Sequence, residues 1–426
     1  MPFFAREDAP LSSMPEFPID LADRCVMCGL CIPHCPTYAL TRNENESPRG
    51  RIALMQGLAR GQLEPDASSF AHLDHCLECR ACESVCPSRV PYGRLLDDMR
   101  AQLRQNGRRT RRSVRWLLTL LGGTPARLRR WSNYLYLYQR LGLQRLTATL
   151  GYLGSRRLRR LNRLLPVMSR PEAPITLHPA NVRVETLGKV QLFTGCASRL
   201  LDRQTREAAV YLLTRLGYVV NIPQQQVCCG ALHRHEGESA LAAQLAEHNL
   251  QAFDKREGPI LSLASGCSSH LSEYPLTTTD WRAEGFSERA EDITGFLARA
   301  RWPERLQFAP LEGKVAVHEP CLQRNVLKQS FHTYALLQKI PRLEVVPLTG
   351  NELCCGAAGS QMISQPEQAD ALLTPKLAAA RDMDVTYLVS TNIGCALHLA
   401  AGLREQGQEI EVLHPLTLLA RQLRTQ

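Results

Sequence analysis

The sequence predicts an α+β protein, with a small α-helical, cysteine-rich domain first and a duplicated α/β domain after it. Two internal repeats and a change of hydrophobic period carry that prediction. One repeat joins Cys25, Cys28, Cys31 and Cys35 to Cys76, Cys79, Cys82 and Cys86 at a constant offset of 51. The other joins Gly188-Lys-Val…Cys196 to Gly313-Lys-Val…Cys321, Cys228-Cys229-Gly230 to Cys354-Cys355-Gly356, and Cys267 to Cys395, at offsets of 125 to 128. So small a drift indicates two copies of one supersecondary unit with loop insertions. A chain of 426 residues has room for two or three domains. The expected division is 1–100 for the first domain, 101–180 for an Arg-rich helical insert and linker, and 181–300 and 301–426 for the two α/β copies.

Each element follows from local pattern. Arg49–Arg60 reads as a helix with Ile52, Met55 and Ala59 on one face. Residues 101–170 read as amphipathic helices broken at Gly122-Gly123, Pro125 and Gly151–Gly154, and Pro166–Pro179 as a linker. Beyond it, short apolar runs alternate with helical stretches. Val190–Phe193, Val219–Ile222 and Pro259–Ala264 are expected strands, with helices at Thr205–Leu216 and Ser239–Phe253. The second copy repeats this with Val315–His318, Leu343–Val346 and Thr386–Ser390, and helices through Tyr334 and over Glu367–Arg381. Every cysteine group then falls after a strand and before a helix. Ligands bind at such strand ends in open α/β sheets, so the cysteine loops of both halves are expected to face a shared site.

The cysteines carry the chemistry. Cys25-x2-Cys28-x2-Cys31-x3-Cys35-Pro36 and Cys76-x2-Cys79-x2-Cys82-x3-Cys86-Pro87 have the spacing of bacterial ferredoxins, in which the fourth cysteine ligates the other cluster. Two [4Fe-4S] clusters are expected, one on Cys25, Cys28, Cys31 and Cys86, the other on Cys76, Cys79, Cys82 and Cys35. Structural zinc uses two short Cys pairs set far apart and fits these runs poorly. The helix between the runs, where simple ferredoxins have a short hairpin-rich link, makes this a helical ferredoxin domain. Cys196, Cys228, Cys229, Cys267, Cys321, Cys354, Cys355 and Cys395 form the second set of candidate ligands, for an additional iron–sulfur cluster. Adjacent cysteines diverge too far to share one tetrahedral metal, but a following glycine lets them reach separate irons. A buried, inert Cys-Cys pair is the plainer alternative, and its duplication with two further matched cysteines argues against it. His270 and His398 each stand three residues after a cysteine. His270 reads as a hydrogen-bonding residue, and His398 as either that or an iron ligand.

Sixteen cysteines in a long chain without a basic, apolar leader point to metal ligation in a reducing compartment rather than disulfides. No apolar run reaches 18 residues, so no membrane-spanning helix is expected, and the expected location is cytoplasmic or peripheral on the inner face of the membrane. The formal charge of +10 hides an asymmetry: residues 101–170 hold 17 arginines and no Lys, Asp or Glu, so the remainder is acidic. That insert fits an anionic membrane face, with Trp116, Trp131, Tyr134, Tyr136 and Tyr138 at the interface, an acidic partner subunit, or plain solvated surface. Nothing else resembles a nucleic-acid fold, so no nucleic acid is expected. The chain lacks a dinucleotide fingerprint, a P-loop and a Ser-His-Asp elbow. An electron relay of this kind needs a donor on another chain.

Cys25–Tyr38, Ser47-Pro-Arg-Gly-Arg-Ile52, Cys76–Ser88, Ala264-Ser-Gly-Cys267 and Thr391-Asn-Ile-Gly-Cys395 with His398 resemble the iron–sulfur subunits of glycolate oxidase (glycolate dehydrogenase). These lie within a larger group sharing a cysteine-rich "CCG" domain. The resemblance spans nearly the whole chain, the basic insert least. It implies flavin-containing partner subunits that oxidise glycolate to glyoxylate, or D-lactate to pyruvate, and an onward path to a quinone or other membrane acceptor. Catalysis itself would sit on those partners. The similar heterodisulfide reductases hold noncubane clusters on a domain ending in Cys-x2-Cys, whereas both copies here end in Cys-x2-His. Subunits of glycerol-3-phosphate and lactate dehydrogenases share much of this plan.

Overall fold

In the computed structural model, which describes residues 17–106, 112–149, 156–170, 175–181, 185–255 and 257–424, Ser47 starts the helix that separates the two cysteine runs. Its side chain accepts a hydrogen bond from Gly50 N at 3.0 Å, and Pro48 fills the first helical position, where no N–H is needed. The helix Pro48–Ala59 turns Ile52, Met55 and Ala59 inward, all buried, as the period predicts. They meet Leu73, Tyr92, Leu95, Leu96, Met99 and Leu103 in one core, the last five from the helix Tyr92–Gln105. This first unit comprises the described residues up to 106 together with Arg234–Glu238, and all its described elements are helical.

The second unit is α/β. One sheet has the order β1-β3-β2-β4-β5, with β1 Leu177–His178, β2 Gly188–Phe193, β3 Tyr218–Asn221, β4 Ile260–Ser262 and β5 Ala290–Asp292. The other has the order β7-β6-β8-β9, with β6 Gly313–His318, β7 Leu343–Pro347, β8 Tyr387–Ser390 and β9 Glu411–Leu413. Only β1 is antiparallel. Without it, the two orders are the same, which is the duplication seen as topology. Val190, Leu192, Leu212, Val315, Val317 and Leu416 belong to one apolar cluster, so the two sheets share a core. Three strands lie outside the sequence expectation: β1 falls in the stretch read as a linker, and β5 (Ala-Glu-Asp) and β9 (Glu-Val-Leu) are three residues each and too polar to show an apolar run.

The Arg-rich insert packs into this second unit instead of forming a domain of its own. Its helices include Arg112–Leu121, Pro125–Arg140 and Arg156–Leu164. Leu121 and Leu128 join the cluster that holds Cys196, Cys228 and Cys229, while Leu161 and Leu164 join the one that holds Cys355 and Cys395. Arg160 is buried and pairs with Asp370 at 2.7 Å. The expected break at Gly151–Gly154 and part of the expected linker, 171–174, lie outside the described residues.

Candidate metal centres

Both cysteine runs fold into the same loop. Residues just before and just after the central cysteine are left-handed in each, Met27 (φ 55°) and Gly29 (φ 83°) around Cys28, Glu78 (φ 51°) and Arg80 (φ 55°) around Cys79. Three of these four are not glycine, a conformation L-residues adopt rarely and hold at functional sites. The loop is thus bent to aim three thiols at one place. Cys25, Cys28, Cys31 and Cys86 line one cavity with Ile52, Val90 and Tyr92, and Cys82 also reaches its wall. Cys35 ends its run buried, close enough to Cys82 to help push that thiol up, though burial contributes most. Burial likewise pushes Cys31 up to about 11. All sixteen cysteines are free thiols. Four soft donors converging on one cavity fit an iron–sulfur cluster.

The second cysteine set sits beside a network of buried polar groups. Arg51 is 1% exposed. It donates from Nη1 to Thr37 Oγ1 at 3.0 Å and from Nε to His72 O at 2.7 Å, and pairs through Nη2 with Glu46. Thr37 Oγ1 is 3.2 Å from Cys35 Sγ, and the Tyr92 hydroxyl donates to Cys76 Sγ at 3.5 Å. Burial opposes the charge on Arg51, but the anionic groups around it, Glu46 among them, keep it firmly protonated. Glu46 Oε1 also takes His72 Nδ1 at 2.7 Å and His75 Nδ1 at 2.8 Å. Cys28, by contrast, is exposed. Sequence reasoning missed Arg51, Thr37 and Tyr92, because nothing local distinguishes a buried arginine from an exposed one.

In the α/β unit, each cysteine group stands at strand C-terminal ends. Cys196 follows β2, Cys267 lies in the helix Ser265–Leu271 after β4, and Cys228-Cys229 lies in the loop after β3. Cys321, Cys354-Cys355 and Cys395 occupy the same places after β6, β7 and β8. The glycines after the pairs are required. Gly230 has φ 95° and Gly356 φ 83°, and a Cβ at Gly356 would lie 2.5 Å from Ala369 O. The thiols pair in one pattern. Cys196 Sγ is 3.3 Å from Cys228 Sγ, and Cys229 Sγ is 3.4 Å from Cys267 Sγ. Cys321 likewise interacts with Cys354, and Cys355 with Cys395. The two halves adjoin at these ends, where Ser265 N donates to Thr391 O at 3.0 Å.

Both histidines singled out in the sequence, His270 and His398, are buried. His270 is buried edge-on to Tyr274, with ring centroids 5.6 Å apart. His398 Nε2 lies 3.3 Å from Ala369 O, and burial pushes the ring down to about 4. His318, which sequence reasoning passed over, has a donor atom within 4.8 Å of those of both Cys355 and Cys395. Burial, then Lys376 and Arg324, push it down to about 3, so it is neutral. In the first half, His233 is fully buried and, after the neighbouring thiols, helps hold Cys228 low.

The sequence is similar to those of known proteins. Residues 21–90 match the family model of a 4Fe-4S dicluster domain, and 190–272 and 315–400 each match that of a cysteine-rich domain. The probable glycolate oxidase iron–sulfur subunit of Bacillus subtilis is 33% identical over 93% of this chain and 92% of its own length. The glycolate oxidase iron–sulfur subunit of Escherichia coli is 30% identical over 88% and 89%. Lactate utilization protein A of a Geobacillus strain is 26% identical over 53% of this chain and 96% of its own length.

Proposed function

Since the chain belongs to the family of glycolate oxidase iron–sulfur subunits, we propose that it takes electrons from a flavin-containing partner subunit that oxidises glycolate to glyoxylate, or D-lactate to pyruvate, and passes them toward a quinone or other membrane acceptor. The chain is an electron-transfer subunit of an oxidoreductase and binds 4Fe-4S clusters. A bound cluster accepts and returns single electrons. Cys25, Cys28, Cys31 and Cys86 would hold one, and Cys76, Cys79, Cys82 and Cys35 the other. The observation that carries the relay reading is the shared cavity of Cys86 with the first run, which interlocks the two runs. Around the second set, Arg51 offers fixed positive charge and the Tyr92 hydroxyl donates to sulfur. The paired, buried thiols of the α/β unit support a further metal centre there.

Purification with the products of neighbouring genes tests the assignment. The expected result is a complex that contains flavin and reduces dye when given glycolate or D-lactate. A stable, cluster-loaded complex inactive on both would overturn it. The crossed ligand sets have their own test. Cys35→Ala should remove about four of the about eight irons of the two N-terminal clusters and abolish the signal of the cluster on Cys76, Cys79 and Cys82, leaving that of the Cys25–Cys31 cluster intact.

A further inference from the structure

The duplicated halves depart from each other at one buried position beside the thiols. Aligning Gly188-Lys-Val with Gly313-Lys-Val sets Phe193, the last residue of β2, against His318, the last residue of β6. Phe193 packs on Phe253, with ring centroids 5.9 Å apart. His318 presents a nitrogen within 4.8 Å of the sulfurs of Cys355 and Cys395, and all three residues are buried. Its Nδ1 is 3.1 Å from Ser390 Oγ at the end of β8. That hydrogen bond orients the ring, the support that ligating histidines have from their surroundings. The first half has its buried imidazole elsewhere. His233 lies against Cys228, at a position where the second half has Gly359. His398 joins no three-donor group among the described residues.

We propose that the metal centre of the second half takes the imidazole of His318 as a ligand beside Cys321, Cys354, Cys355 and Cys395, so that the two halves hold centres of different composition. This rests on the reading that these thiols bind metal. A neutral imidazole in a place that a thiolate would otherwise take leaves the centre less anionic, and nitrogen ligation of that kind raises a cluster's potential.

The test uses the full-length protein, loaded anaerobically with iron and sulfide. Metal content is counted first, in the wild type and in a Cys354→Ser/Cys355→Ser variant. Metal beyond that of two cubanes, lost in this variant, establishes the centre. If none is found, the underlying reading fails and the proposal with it. Pulsed electron paramagnetic resonance on protein with isotope-labelled histidine then reads the ligand, with X-ray absorption serving if the metal is zinc. The expected result is histidine coupling that disappears in His318→Phe and persists in His398→Phe. His318→Cys should keep the metal while losing the coupling, which separates ligation from folding. Coupling that survives in His318→Phe or His318→Cys, or its absence in wild type with the metal bound, overturns the proposal.

Discussion

Arg51 places a fixed positive charge beside the second cysteine set, and its partners prevent it from moving away. Fixed charge and hydrogen bonds to sulfur are the protein's means of setting a cluster's potential. Removing the arginine leaves Glu46 its pairs with His72 and His75, so the informative variant is Arg51→Met. Its second cluster should have a lower midpoint potential, by about 59 mV or more, a tenfold change for a one-electron couple. A redox titration followed by electron paramagnetic resonance reads it, and an unchanged potential would remove Arg51 from that role. At this scale the sequence was legible where residue type and spacing are themselves the chemistry, as in the runs at Cys25 and Cys76. Arg51 and His318 were not legible, because their roles depend on partners that only folding supplies: Glu46 and Thr37 for one, Ser390 and Cys355 for the other.

Elements impose their own limits. The loop after β7 turns at Gly356, where both φ and the approach of Ala369 O exclude a side chain. Gly407 has φ 65° but open space around it. Gly407→Ala should therefore cost about 1 kcal/mol, and Gly356→Ala several times more, as thermal unfolding would show. The last helix, Pro415–Gln422, is capped by His414, whose Nδ1 accepts from Leu416 N at 3.2 Å. Burial pushes His414 down to about 3. Its unfolded value is higher, so the unfolded chain binds the extra proton first. The stabilisation is complete above about pH 6.5 and declines by about 1.4 kcal/mol per pH unit as pH falls toward the folded value. His414→Asn, which keeps a capping acceptor without titrating, should flatten denaturant-measured stability over that interval. The longer strands announced themselves by apolar runs. β5 and β9 did not, because a strand at a sheet edge needs few buried residues.

Taken whole, the molecule carries its charge unevenly. The insert that reads as a basic appendage has two faces. Leucines cover the cysteine-bearing clusters, while Trp116, Trp131, Tyr134, Leu137 and Leu141 are exposed beside the exposed Arg115, Arg127, Arg129, Arg130 and Arg140. No described helix is long and apolar enough to cross a membrane. The outer face has the composition of a membrane-surface contact. Vesicles rich in anionic lipid should bind the protein at low salt and release it near 1 M, where the Debye length is about 3 Å. Arg129→Glu/Arg130→Glu should weaken the binding, and attachment that is indifferent to salt would count against it. The inner face was hidden in the sequence by the arginines that alternate with its leucines, and the packing that reveals it is tertiary.

The exposure of Cys28 has a consequence of another kind. Dioxygen and peroxide reach a centre through its most open sulfur, and the two expected ligand sets differ in that respect: Cys28 is exposed, while Cys76, Cys79 and Cys82 are half-buried and Cys35 is buried. Damage in air should therefore proceed in order, beginning with the centre that Cys28 would hold. A sample handled briefly in air should retain the more sheltered centre and about half of its N-terminal iron, and its remaining colour would report only the survivor.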